Sequence, residues 1–208
     1  MYKLFYAPGS AAMAPHAVLE EIGAPHELVR VDTAVGAHKR PDYLKLNPHG
    51  RVPTLVDGDL VIYEAAAITL HLADGHPNSG LAPALGMPER ARYYQYLVYL
   101  TNTVQEAFIQ YYHAEYSAES EAARAEVKAM AERRLSGMWE KLDAALAKPG
   151  PYLLGEQFSA ADLYLMMLAR WSRNMAKPAT SHPHMKRLID RVRARPAVER
   201  MMRAEGLE

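Results

Sequence analysis

The sequence predicts an α/β unit followed by an all-helical one. Three observations predict it. Short apolar runs alternate with helical patterns from Tyr2 to Ala73. A stretch rich in glycine and proline, Gly75 to Pro88, then interrupts the chain. Beyond it apolar residues recur only at steps of three or four, the period of a helix.

Lys3–Ala7 reads as a short buried strand, broken by Pro8-Gly9-Ser10. Ala11–Ile22 reads as a helix, with Val18, Leu19 and Ile22 on one face and Gly23 as its stop. Glu27–Asp32 is the next strand, completing a βαβ unit. Residues 33–50 are polar, a loop with one short helix around Pro41–Leu46. Thr54–Asp57 and Leu60–Tyr63 are strands joined across Gly58-Asp59, a tight hairpin signal. Glu64–Ala73 is a helix.

The domain limits expected are 1–76 for the α/β unit, 77–88 for a linker and 89–208 for the helical unit. Within the last, Tyr93, Leu97, Leu100, Val104, Phe108 and Tyr112 predict one long amphipathic helix from Glu89 to about Glu115. Glu119–Ala147 repeats the pattern, and Pro149-Gly150-Pro151 ends it. Ser159-Ala160-Ala161-Asp162 spells a capping box with aspartate in the third position. Further helices are expected over 184–194 and 196–204. Met166, Met167, Met175, Met185, Met201 and Met202 read as fillers of a helical core.

Lys plus Arg and Asp plus Glu both number 24, so no net field draws the chain to nucleic acid or an anionic membrane. With no cysteine, disulfides, thiolate metal sites and a protein thiol nucleophile are excluded. His182 and His184 have no third ligand nearby in sequence, so no metal is expected. The start is too soon interrupted for a signal peptide and no apolar run is of spanning length, so the expectation is a soluble cytoplasmic protein.

Gly50-Arg51-Val52-Pro53-Thr54-Leu55 carries the most chemistry. Proline cannot donate to a sheet ladder, and it pushes the preceding valine to extended geometry. Val52 therefore offers an open backbone edge to which an extended peptide can pair. Glu64, at a helix start, can take an ammonium group, and the free N–H groups of Ala65 and Ala66 a carboxylate. Together they describe a site for a small zwitterionic peptide.

Tyr6-Ala7-Pro8-Gly9-Ser10, Asn47-Pro48-His49-Gly50-Arg51-Val52-Pro53, Glu64-Ala65-x-Ala67-Ile68 and Phe158-Ser159-x-Ala161-Asp162, in this order and spacing, resemble the glutathione S-transferase superfamily over nearly the whole chain. The resemblance implies a thioredoxin-like N-terminal domain and an all-helical C-terminal domain. It implies a cis Val52–Pro53 bond, with Val52 pairing to the cysteinyl backbone of glutathione. It also implies that Glu64 and Ala65 hold the γ-glutamyl end, and that the protein is a cytoplasmic homodimer.

The chain looks most like the bacterial, beta-like branch, with two departures: Ala11 and Gln105 stand where that class carries its cysteine and histidine. Ser10 instead resembles the serine of a Pro-Gly-Ser motif. The activity implied is conjugation of the glutathione thiolate to a small, largely apolar electrophile. Glutathione-dependent peroxide reduction, disulfide reduction or dehalogenation on the same site, or a non-catalytic binding role, are the alternatives. No metal is implied; glutathione is the co-substrate.

Only a few per cent of a thiol with a pKa of about 8.5 is ionised at pH 7, so stabilising the thiolate raises rate. Ser10 Oγ–H can donate to that sulfur, can cap the first helix, or can do both. Tyr6 is either a second donor or a core residue. His49 and Arg51 lie where the glycine carboxylate of the tripeptide should pass, or are solvated surface groups. Tyr6, Gln105, Tyr112 and Trp171 are candidates for the second-substrate pocket between the domains, core packing being the alternative for each.

Overall fold

The computed structural model describes residues 1–207. Two compact units emerge, residues Met1–Ala84 together with the chain from Arg193 onward, and Leu85–Val192.

The first unit is built on a four-stranded sheet. The strands are β1 (Tyr2–Tyr6), β2 (His26–Arg30), β3 (Thr54–Asp57) and β4 (Leu60–Tyr63), in the order β2-β1-β3-β4. β1 runs parallel to β2, as the βαβ crossover requires, and antiparallel to β3, with Leu4 opposite Leu55. Both leucines are fully buried. The β3–β4 hairpin has the limits expected from sequence, turning at Gly58 with φ 59°.

Helix α1 (Met13–Ile22) stops at Gly23, whose φ of 65° is a left-handed cap that glycine adopts without strain. It starts two residues later than periodicity suggested, because Ser10–Ala12 form a turn: Ser10 N–H bonds Ala7 C=O and Met13 N–H bonds Ser10 C=O. A four-residue helix α2 (Pro41–Leu44) follows a 3₁₀ turn at Ala37–Lys39. Helix α3 (Ala65–Gly75) begins after Glu64, not at it.

In the second unit the long first helix is interrupted. α4 (Pro88–Tyr99) passes into a π-helical turn, Leu100–Gln105, and then α5 (Glu106–Tyr112). A side-chain period of three or four continues through such a turn, which is why sequence reads it as one helix. α6 (Glu121–Leu146), α7 (Ala160–Trp171) and α8 (Pro183–Arg193) follow. Trp139, Tyr93, Tyr164 and Phe108 are among the largest fully buried side chains.

The last helix of the expected helical stretch groups, by its contacts, with the first unit. Helix α9 (Pro196–Ala204) packs on α1 and belongs to the first unit. Val198, Met201 and Met202 bury its apolar face, and Arg195 forks onto Glu21 at 2.5 and 2.8 Å. Helical periodicity shows that a helix has an apolar face, not which neighbour covers it. The six methionines expected as core fillers are all buried. No helix is long and apolar enough to cross a membrane among the described residues.

Candidate functional site

Sheet register brings the candidate residues of the first unit to one end of the sheet. Phe5 of β1 stands opposite Thr54 of β3, and Thr54 opposite Tyr63 of β4. The loop after Tyr6, the segment before Thr54 and the residue after Tyr63 therefore converge. Those are Ser10, Val52-Pro53 and Glu64.

Ser10 is half-buried, and its Oγ accepts the Ala12 N–H at 3.2 Å. A hydroxyl that accepts there still has its own proton to donate. Cap and donor are thus compatible in one side chain. The Ala11 N–H has no partner among the described residues, which adds a second donor to the loop. The loop is anchored from the far end of the chain: Glu205 Oε2 accepts the Gly9 N–H at 2.8 Å. Tyr6 is buried beside His16, ring centroids 6.1 Å apart.

The Val52–Pro53 bond is cis. Val52 makes no main-chain hydrogen bond among the described residues, so its N–H and C=O are open to a ligand. The preceding turn is held rigidly. Arg51 C=O accepts the Tyr43 hydroxyl at 2.7 Å and Asn47 Nδ2 at 2.9 Å. Both donors also meet Thr54 Oγ1, at 2.9 and 3.2 Å. Burial raises the Tyr43 pKa, which keeps that hydroxyl protonated as a donor. Gly50 has φ 56°, and a Cβ there would lie 2.8 Å from His38 C=O, so only glycine fits.

Sequence reading passed over Tyr43, Asn47 and Thr54 as functional residues. Asn47 lay inside a quoted motif, but its partners four and seven residues on become visible only in the folded loop. Asn47→Ala is expected to cost roughly 1–3 kcal/mol of stability by removing the side chain's hydrogen bonds to Arg51 C=O, Thr54 Oγ1 and the His49 N–H. Glutathione affinity should fall with it. Denaturant unfolding and calorimetry check both.

His49 is exposed, its ring edge against Tyr63 at 5.2 Å, with its N–H on Asn47 Oδ1 and its C=O taking Lys39 Nζ at 3.3 Å. Arg51 is exposed with no side-chain partner among the described residues. Glu64 has φ 72° and ψ 112°, the one described non-glycine residue with positive φ. Its carboxylate is exposed and unpaired among the described residues, at the mouth of α3, where the N–H groups of Ala65 and Ala66 lack intrahelical partners. Such backbone costs of order 1–3 kcal/mol and gathers at binding sites.

In the second unit the candidates separate. Tyr112 donates its hydroxyl to Trp171 C=O, and Phe108 stacks on Tyr112 at 6.1 Å and meets Trp171 edge-on at 5.7 Å. Burial raises the Tyr112 pKa against the opposing pull of Arg173 and Arg170. Gln105 is half-buried; its Oε1 accepts the Tyr164 hydroxyl at 2.5 Å, and that hydroxyl also meets Thr101 Oγ1 at 2.7 Å. His184 is bound to Asp143 at 3.0 Å.

The chain matches the glutathione S-transferase N-terminal domain over residues 1–74 and the glutathione S-transferase C-terminal domain over residues 103–204. It is 29% identical to glutathione S-transferase GstA of Escherichia coli O157:H7, covering 99% of this chain and 100% of that one. A sphingomonad glutathione S-transferase solved with glutathione is 35% identical, TM-score 0.87, covering 99% and 100%. A glutathione transferase homologue from sulfitobacter, with bound glutathione, has TM-score 0.91 and 28% identity, covering 100% and 99%. With both domain families matched and likeness sustained from end to end, this chain belongs to the glutathione S-transferase family and is a transferase enzyme.

Proposed function

We propose that the protein conjugates the thiolate of glutathione to a small, largely apolar electrophile, with Ser10 as the thiol-stabilising donor. The observation that carries the reading is Glu64. A non-glycine residue held at φ 72° presents an unpaired carboxylate beside free helix N–H groups. That arrangement suits an α-amino acid end: carboxylate for ammonium, N–H groups for carboxylate. Val52 would pair with the cysteinyl backbone across the Pro53 turn, and Arg51 and His49 would flank the glycine carboxylate. The sulfur then comes to the Ser10 loop, where Oγ–H and backbone N–H groups favour the anion. The thiolate attacks the electrophilic carbon, a C–S bond forms, and the leaving group departs with its electron pair.

Ser10→Ala tests the donor. A hydrogen bond to an ionised group is worth about 1.5–3 kcal/mol, so the pKa of bound glutathione thiol should rise by about one to two units. Thiolate absorbance followed against pH measures it. An unmoved titration would reassign the sulfur to Tyr6 or to backbone donors.

Tyr112, exposed, and Trp171, half-buried, pack on the buried Phe108 and supply apolar surface of the kind an electrophile needs. Product mass after incubation with glutathione and a panel of electrophiles, peroxides and disulfides separates the reaction classes. A glutathione adduct supports conjugation; turnover confined to peroxide or disulfide substrates overturns it. The assembly proposed is a cytoplasmic homodimer, and sedimentation should give twice the mass of one chain.

A further inference from the structure

We propose that His16, Glu20 and His26 form a site for one divalent transition-metal ion of the zinc, cobalt or nickel class. One ligand atom from each of the three lies within 4.8 Å of the others. His16 and Glu20 are four residues apart on one face of α1, and His26 opens β2 after the Gly23-Ala24-Pro25 turn. All three lie within the first unit.

The ring nitrogens are already sorted for coordination. His16 Nδ1 is bound to Glu205 Oε1 at 2.8 Å, and His26 Nδ1 to Ala24 C=O at 2.8 Å. Metal-binding histidines hold their second nitrogen in this way, one on a carboxylate and one on a carbonyl. Each ring thus keeps Nε2 for a ligand. His16 is fully buried, and its Nε2 has no hydrogen-bond partner. An imidazole lone pair enclosed without a partner is costly, and a metal ion would answer it.

Glu20 contributes the oxygen. Arg200 holds Oε2 at 2.6 Å, which leaves Oε1, 3.7 Å from His26 Nε2. Zinc bonded at 2.0–2.2 Å in tetrahedral geometry needs ligand atoms about 3.3–3.5 Å apart. The half-buried Glu20 and His26 need only small movements to close on the fixed His16 nitrogen. Two imidazoles and one carboxylate favour zinc, cobalt or nickel over magnesium or calcium. The fourth position is left for water.

The site has two consequences. It would clamp α1 to β2. It would also fix His16 with its Nδ1 proton toward Glu205, whose other oxygen holds Gly9, next to Ser10.

Untagged protein is stripped with chelator and titrated with Co²⁺ and Zn²⁺. The expected result is one equivalent of cobalt with the intense visible bands of tetrahedral coordination, displaced by zinc, and a higher unfolding temperature with zinc. His26→Ala, at a partly exposed position, and Glu20→Gln should each weaken binding about tenfold or more and remove the thermal shift. His184→Ala should change neither. Absence of stoichiometric uptake, or equal uptake by wild type and His26→Ala, overturns the proposal. Metal uptake is read on the protein without glutathione, so its failure and the failure of the conjugation reading are distinguished.

Discussion

Glu64→Ala is expected to lower glutathione affinity about 10- to 100-fold while leaving the unfolding free energy close to wild type. The loss corresponds to one charge-assisted hydrogen bond of about 1.5–3 kcal/mol. Alanine at φ 72° suffers the same backbone penalty as glutamate, so folding should not report the change. Glu64→Gly sharpens the test. Glycine relieves the strained backbone, so stability should hold or rise by up to about 2 kcal/mol, even as binding falls. A variant that is more stable yet binds worse separates function from folding. Calorimetry with glutathione, beside chemical unfolding of both variants, measures the two quantities. Full affinity in Glu64→Ala would remove this carboxylate from the ligand site, and the peptide-binding account with it.

The largest stability effect is expected at Asp162. The capping box predicted from Ser159 to Asp162 forms. A cap alone is worth about 0.5–2 kcal/mol. The folded chain adds more. Asp162 is fully buried, and its Oδ1 accepts the Leu153 N–H at 2.9 Å. Its Oδ2 takes the Ser159 N–H at 2.9 Å and the Ser159 hydroxyl at 3.1 Å. Truncation to alanine would strand these donors in the interior. Asp162→Ala should therefore cost roughly 3–5 kcal/mol, read from denaturant unfolding. Glutathione affinity of the folded fraction should be unchanged, since Asp162 belongs to the second unit and the candidate tripeptide residues to the first.

Burial pushes the Asp162 carboxyl up from 3.8 to about 6, against the pull of its hydrogen bonds. A raised folded-state pKa means that the native chain holds the proton more tightly than the unfolded one. This group therefore favours folding below about pH 4. The contribution is lost as pH climbs through about 6 and is level above that. Two pKa units amount to about 3 kcal/mol. The stability gap between wild type and Asp162→Asn should narrow by about that much from pH 4 to pH 7. A constant gap would mean that the carboxyl titrates as it does in water.

Local chemistry was legible where neighbouring residues write it. The hairpin at Gly58-Asp59, the helix stop at Gly23 and the Ser159 cap all depend on residues a few positions apart, and each formed as read. Val52 and Glu64 were also legible, because an X-Pro step and a helix start announce open main-chain groups. The start of α1 was not, since the Ser10–Ala12 turn competes with a helix for the same N–H groups. Nor was the partner of Gln105, since Tyr164 lies far along the chain.

Residue order alone committed the chain to a sheet-bearing unit and a helical one, because periods of two and of three to four are properties of consecutive side chains. Folding decided the partners across long separations. It set Glu205 beneath the Gly9 N–H, returned α9 to α1, and enclosed His16 near His26 and Glu20. Such pairings arise from burial of apolar faces, and an apolar face records that it must be covered without recording by what.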